Sequence, residues 1–359
     1  SSGTIWRKDR VTPMSEKRKA DEIITERKIY ERTLVDKRSK KGSRKSLTLL
    51  IVGILAMLPL FQVAGFQLNY ILHLTLYTFM YIAMASSWNI LGGYTGYVSL
   101  GHNLFFCIGG YFSGMILARY GISSFITAPV AGVVAMLAGF LVGFITLRVR
   151  GPAFIISSIA LLMMVKILFD NWEYVGGSNG VSLPQMDLPA QFIKVPFYYA
   201  MMLIAVLTLI TSYAIRHSKI GLGLRAISQD EVKAECAGIN TRFLKILSFA
   251  ISAFFVGIAG AVWAEYLTYM RPNIFLIILI AANMVLMCIL GGKGTVAGPV
   301  VGAILLIAFN EFFVSQFGAS EINLLGTGVV MLLALMFFPN GLVGTLRKIG
   351  KLPRILDWD

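Results

Sequence analysis

The residues that could do work gather in one polar stretch between two apolar runs. It reads Gly221-Leu222-Gly223-Leu224-Arg225-Ala226-Ile227-Ser228-Gln229-Asp230-Glu231-Val232-Lys233-Ala234-Glu235-Cys236-Ala237-Gly238-Ile239-Asn240. Ser228 is a good helix N-cap, and Glu231 three residues on completes a capping box. Gly238 is a helix stop. The spacing predicts a short helix, small on one face and charged on the other. Arg225, Asp230, Glu231, Ala234 and Gly238 are then the residues through which a force could pass to or from another chain. Length and caps alone leave an ordinary polar connector equally open.

Other motifs are weaker. Gly221-x-Gly223-x-x-Ala226 has the form of a dinucleotide fingerprint but follows an apolar run rather than a strand. Gly292-Lys293-Gly294-Thr295 lacks the spacing of a phosphate-binding loop. No nucleotide or other cofactor is therefore expected in this chain. The three cysteines, Cys107, Cys236 and Cys288, show no paired spacing, so neither a disulfide nor a metal site is expected.

Polar residues inside apolar runs are costly in lipid, and each needs a partner or a function. His73, Asn89, His102, Asn103, Lys166, Glu265, Asn283, Asn310 and Glu311 are in this position. Glu265 and Glu311 stand near run ends and could reach the surface. Asn89, Tyr94, Ser99, His102 and Asn103 are the candidates for a solute pathway, because the glycines among them permit a broken helix. Broken helices expose backbone groups to solutes. Packing is an equal reading for these five. Gly110-x-x-x-Gly114, Gly139-x-x-x-Gly143 and Gly298-x-x-x-Gly302 read as close helix-packing faces.

The elements that must carry these residues follow from composition. Of 359 residues, 57% are hydrophobic and 14% charged, against about 25% charged in soluble domains. The apolar residues come in uncharged runs, such as 47–66 and 274–292. A hydrocarbon core of ~30 Å takes ~20 helical residues. The runs are too long and uniform for barrel strands. An all-α polytopic bundle of about ten spans is predicted: 47–66, 69–91, 97–118, 125–147, 152–170, 197–215, 243–267, 274–290, 296–314 and 322–338. A glycine-rich turn, 92–96, is expected after the second span, and a polar loop over 171–196. Residues 1–46 form a charged tail in this reading, 47–342 the membrane domain with its polar loop at 216–242, and 343–359 a second tail. No secretory signal peptide is visible at the start of the sequence.

The net charge of +14 could suggest nucleic acid, but its distribution excludes that class. Fifteen of the 32 Lys and Arg precede Leu47. With the first tail inside, the inner loops and second tail hold 13 cations, and the outer loops hold only Arg119, Lys194 and Arg271. The positive-inside rule then places both ends in the cytoplasm. Basic residues of the first tail could also touch anionic lipid.

Five further segments make a pattern. Residues 88–102, Trp-Asn-Ile-Leu-Gly-Gly-Tyr-Thr-Gly-Tyr-Val-Ser-Leu-Gly-His, resemble the N-L-x-x-G-Y-x-G-x-x-S-L-G-H signature of the branched-chain amino-acid ABC importer permease family, LivM type. Leu147–Gly151 resembles its L-R-L-R-G turn, and Gly176–Gly180 its glycine-rich loop. Leu290–Thr295 is similar to its L-G-G-x-G turn and Pro339–Leu342 to its closing motif. The polar stretch 221–240 resembles the EAA-type coupling loop of importer permeases. Met163, Asn103 and Val175 depart from the family pattern, and they bear on the solute rather than the fold. The resemblance implies a type II-like, non-enzymatic permease subunit in a bacterial inner membrane. A homologous permease would pair with it, two cytoplasmic ATPases holding ATP and Mg would power it, and a periplasmic or lipid-anchored binding protein would deliver the solute. Branched-chain amino acids, urea and short amides all fit the family. The residues alone also leave an ion-driven transporter or a channel, whose mark would be carboxylates centred in the spans.

Overall fold

The computed structural model describes residues 52–62, 68–189, 192–318 and 341–349, with isolated positions between 325 and 338 and residue 358. The tail 1–46, both ends of the expected span 47–66 and about half of the expected span 322–338 lie outside the described residues.

Thirteen helices are named here. They are α1 (Val52–Gln62), α2 (Asn69–Trp88), α3 (Asn103–Tyr120), α4 (Ser124–Thr146), α5 (Pro152–Asn171), α6 (Lys194–Arg216), α7 (Lys219–Gln229) and α8 (Glu231–Cys236). They continue as α9 (Thr241–Leu267), α10 (Pro272–Phe275), α11 (Ile278–Gly292), α12 (Gly298–Phe317) and α13 (Gly341–Lys348). Among the described residues, six segments are long and apolar enough to cross a membrane: α4, α5, α6, α9, the joined α10–α11 and α12. α2 and α3, of 20 and 18 residues, are similar in length.

The longest helix, the 27-residue α9, is the post on which the bundle is built. It packs along α3 and α4. Small residues let the backbones approach: a Cβ at Gly109 would meet the Gly257 carbonyl at 2.1 Å, and one at Gly260 the Phe106 carbonyl at 2.0 Å. α11 and α12 form a second close pair, where Gly302 leaves room for the Met287 carbonyl. The small-residue faces 139–143 and 298–302 sit at such contacts, as does Gly110, whereas Gly114 faces the Met270 and Leu183 side chains.

Glu265 does not reach out to the surface. It is buried at the end of α9, where its carboxylate accepts the Ser124 N–H at 2.6 Å and the Ser123 hydroxyl at 3.1 Å. It thus fills the α4 N-terminus, whose first N–H groups have no intrahelical partner and favour negative charge.

Two expectations are corrected. The turn over 92–96 is instead a π-helical continuation of α2 over Asn89–Gly93. The span 97–118 is not one helix, because 96–102 is non-helical and α3 starts at Asn103. Gly96 has φ +84 there, which ends the helical path. The all-α class holds, with one short ladder beside it: Val181–Ser182 (β1), in the polar loop, pairs antiparallel with Tyr269–Met270 (β2).

The segment 96–102 climbs beside α9. Tyr97 lies against Lys245, in the first turns of α9, and His102 against Ser252. Ser252 is eleven residues into that helix, a rise of ~16 Å. The short helix α10 and the break at Leu276–Ile277 come down from the other end, and Asn103 meets them. Its Nδ2 donates to the carbonyls of Ile277 at 2.8 Å and Phe275 at 3.4 Å.

Candidate functional site

The polar stretch folds as two helices rather than one. Ser218 starts α7, its hydroxyl accepting the Gly221 N–H. Ser228 is still inside α7, where its hydroxyl donates to the Arg225 carbonyl at 2.8 Å, so the expected capping box does not form. The chain turns at Asp230 (φ −162, ψ 110), and Asp230 caps α8 by accepting the N–H groups of Val232 and Lys233 at 3.0 and 3.1 Å. An aspartate in extended backbone can reach forward to two donors that a residue within a helix cannot. Those backbone N–H groups, with Lys233 close by, hold the Asp230 carboxyl below its ordinary value. Gly238 closes the unit at φ +83, as its type predicts.

Ala234 is the inward residue of α8. It belongs to one buried cluster with Ile90, Tyr94, Ile215, Leu224 and Ile227, which gathers α7 and α8 at the ends of α2 and α6. Arg225 looks back along its own loop, donating to the carbonyls of Gly221 and Arg216. Val232, 57% exposed, is the outward apolar residue.

Beside Ala234, Glu231 enters a cluster of charged groups. Lys245 Nζ donates to Glu231 Oε1 at 2.5 Å, to Tyr97 Oη at 3.1 Å and to the Leu147 carbonyl at 3.4 Å. Tyr97 Oη donates to Glu231 Oε2 at 2.5 Å. Arg150 reaches Glu231 at 3.5 Å and Glu235 at 3.3 Å, and the Thr241 hydroxyl donates to Glu235 at 2.7 Å. The Lys245 and Glu231 side chains are 4% and 11% exposed. Burial alone would raise the Glu231 carboxyl. The hydrogen bonds from Lys245 and Tyr97, with the charges of Lys245 and Arg150, outweigh it and hold the group below its ordinary value. The cluster ties α8 to the start of α9, to the turn between α4 and α5, and to the segment that climbs to His102.

Four members of this cluster, Tyr97, Arg150, Glu235 and Lys245, are absent from the sequence candidates. The signal for Lys245 was its place at the head of an apolar span, where a cation needs a partner.

The five pathway candidates are all buried, and they form an internal spine. Asn89 Nδ2 donates to the Thr295 carbonyl at 2.8 Å, and its Oδ1 accepts the Gly294 N–H and the Cys288 thiol. This joins the π-helical turn to the α11–α12 connection. Tyr94 Oη meets the Ser212 hydroxyl at 2.8 Å, and the Ser99 carbonyl accepts Trp88 Nε1 at 2.8 Å. The Ser252 hydroxyl donates to the Ser87 carbonyl, so it accepts from His102 Nε2 at 2.7 Å. That fixes the His102 proton on Nε2. None of the five lines the cavity of about 410 Å³ found between α2, α9, α11 and α12. Tyr77, Tyr81, Trp263, Ile277, Asn283 and Asn310 line it. Asn103 bears on it indirectly, by pinning the break that forms one wall.

Cys107, Cys236 and Cys288 are free thiols. Among the described residues, no group of three or more His, Cys, Asp or Glu side chains could hold a metal ion.

Three comparisons place this arrangement among known proteins. The family model for the branched-chain amino acid transport system permease component matches residues 70–335. The high-affinity branched-chain amino acid transport system permease protein LivM of Escherichia coli (strain K12) is 29% identical over 302 residues, covering 77% of this chain and 70% of the relative. LivH of Salmonella typhimurium is 25% identical over 283 residues, covering 74% of this chain and 91% of the relative. A probable LivM of Methanocaldococcus jannaschii is 25% identical over 268 residues, covering 67% and 78%. No solved structure matches the chain significantly. With its helical spans, its short capped helix between α6 and α9, and a family match across most of its length, the chain belongs to the branched-chain amino acid transport system permease component family.

Proposed function

We propose that this chain is a transmembrane permease subunit of an ABC importer that moves branched-chain amino acids inward, with α8 as its coupling helix. The observation that carries the reading is the buried Glu231–Lys245–Tyr97 contact. It joins an exposed helix to the membrane bundle at two places, α9 and the segment 96–102, as force transmission between chains requires. ATP and Mg bind to two partner ATPases in the cytoplasm, which push on the outer face of α8 around Val232. A homologous permease, of the kind that LivM and LivH represent, completes the pathway. A periplasmic or lipid-anchored binding protein delivers the solute from outside. Both ends of the chain lie in the cytoplasm of a bacterium, as the cation distribution supports.

The rival reading, an ion-driven transporter, needs carboxylates facing a solute path. Glu265 instead caps α4, and Glu311 accepts from the Tyr70 hydroxyl.

A cysteine at Val232, in a Cys236→Ser background, tests the assignment of α8. The expected outcome is a crosslink to the proposed partner ATPase, with a yield that changes when ATP is trapped. Equal crosslinking from Ile126→Cys, on the exposed face of α4 and far along the bundle from α8, would contradict it.

A further inference from the structure

The outer side of α4 is an apolar stripe. Leu137, Leu141, Phe144 and Ile145 recur at helical spacing, and all four are exposed. α4 is long and apolar enough to cross a membrane, so this stripe faces hydrocarbon. It reaches the last turn of the helix, which ends at Thr146 on the same side as α8.

Two guanidinium groups close on the end of that stripe. Arg148 Cζ lies 4.9 Å from the centroid of the Phe144 ring, and Arg242 Cζ lies 4.7 Å from it, within cation–π range. They come from different elements, Arg148 from the turn after α4 and Arg242 from the first turn of α9. Among the described residues neither has a carboxylate partner. Arg148 Nε donates to the Phe144 carbonyl at 3.3 Å, and Arg242 has its ring contact. Arg150, in the same turn, is by contrast paired with Glu231 and Glu235. Two like charges drawn to one phenyl ring repel each other, and an anion beside them relieves that cost. Guanidinium forks fit phosphate oxygens in pairs.

We infer that Phe144, Arg148 and Arg242 form a binding site for an anionic phospholipid in the leaflet on the side of α8. The two guanidiniums hold its phosphodiester, and its acyl chains lie along Leu137, Leu141 and Ile145. Phe243, exposed beside Arg242, extends the apolar floor. A lipid uses both halves of the feature, whereas a free phosphate or an acidic protein surface would use the cations and leave the stripe. A zwitterionic headgroup brings a phosphate too, but also an ammonium to a doubly positive spot, so the site selects for net negative charge. Basic pockets between spans on the cytoplasmic side take such headgroups. The lipid sits against the turn between α4 and α5, which Arg150 joins to α8 and the Leu147 carbonyl joins to Lys245 of α9.

The test uses the full chain in vesicles of equal parts phosphatidylcholine and phosphatidylglycerol. In a Cys236→Ser background, Ile145→Cys carries a bimane fluorophore, and bromine on the acyl chains of one lipid at a time quenches it. Ile210→Cys, exposed towards the same end of α6, is the control position. Brominated phosphatidylglycerol is expected to show an apparent preference of about tenfold over brominated phosphatidylcholine at Ile145, and of about twofold or less at Ile210. Arg148→Gln/Arg242→Gln brings Ile145 down to the level of Ile210, whereas Lys219→Gln, which removes an exposed cation of α7, leaves it unchanged. Equal preference at the two positions means attraction to a charged surface alone, and a preference that survives the double variant gives the lipid to other groups. Either result overturns the inference. So does a preference at Ile145 that disappears when the proposed partner ATPases are bound, which would give the guanidiniums to a protein surface.

Discussion

At the scale of the residue, the account turns on Lys245 and Glu231. Each is nearly closed to solvent, and each satisfies the other. Removing one partner of a buried pair leaves an uncompensated charge and costs ~3–5 kcal/mol, whereas replacing both by apolar groups can be neutral. Lys245→Met is therefore expected to lower the unfolding temperature of the purified complex more than the double variant Lys245→Met/Glu231→Leu does. An equal or larger loss in the double variant would mean that the pair is not coupled. The same pair predicts a pH response. The Glu231 carboxyl is held below its ordinary value, so its contribution is present above the unfolded value of about 4.3. That contribution is lost as pH falls through the lower folded value. The stability gap between wild type and Glu231→Gln should be full at neutral pH and close in acid; a gap that stays constant would remove Glu231 from this role. The sequence showed the members of the cluster but not the cluster. Lys245 was legible only as one cation of a charge count, because its partners Tyr97 and Arg150 come from other loops, and only the fold brings them together.

At the scale of the element, the unit Asp230–Gly238 was legible at its end and misread at its start. Gly238 declared a stop by type, and its φ of +83 agrees. Ser228 looked like a cap by spacing alone, but α7 runs past it and Asp230 caps instead. Nothing lies within 4 Å of a Cβ built at Gly238, so space is not what excludes other residues there. The left-handed backbone is, at roughly 1–2 kcal/mol for an ordinary residue. Gly238→Val is expected to abolish uptake while the protein still inserts, and Gly238→Asn, which tolerates that backbone, should keep most of it. Measured uptake that is normal for Gly238→Val would remove the need for a rigid stop. The break at 96–102 was misread for a related reason. Its apolar residues continue the hydropathy of α3, and hydropathy does not register that Gly96 leaves the helical path. The same glycines nevertheless marked the region as one where a helix could be broken, and the break is there.

At the scale of the whole molecule, the two breaks and α8 belong to one path. α8 is held by Glu231 to Tyr97, the chain climbs from Tyr97 to His102 along α9, and Asn103 grips the broken entry to α11. In the proposed mechanism, a push on α8 passes along this path to the wall of the cavity. The class of the bundle was open to view in the uncharged runs, because lipid admits few alternatives. The identity of the cavity residues was not, since Tyr77, Trp263, Asn283 and Asn310 lie on separate spans with no shared spacing. The most direct test of the account is uptake of labelled leucine by proteoliposomes holding this chain with the ATPases and homologous permease that the account proposes, with and without ATP and the proposed binding protein. The account predicts uptake that requires both and is lost in Gly238→Val. Uptake by this chain alone, driven by an ion gradient, would contradict it.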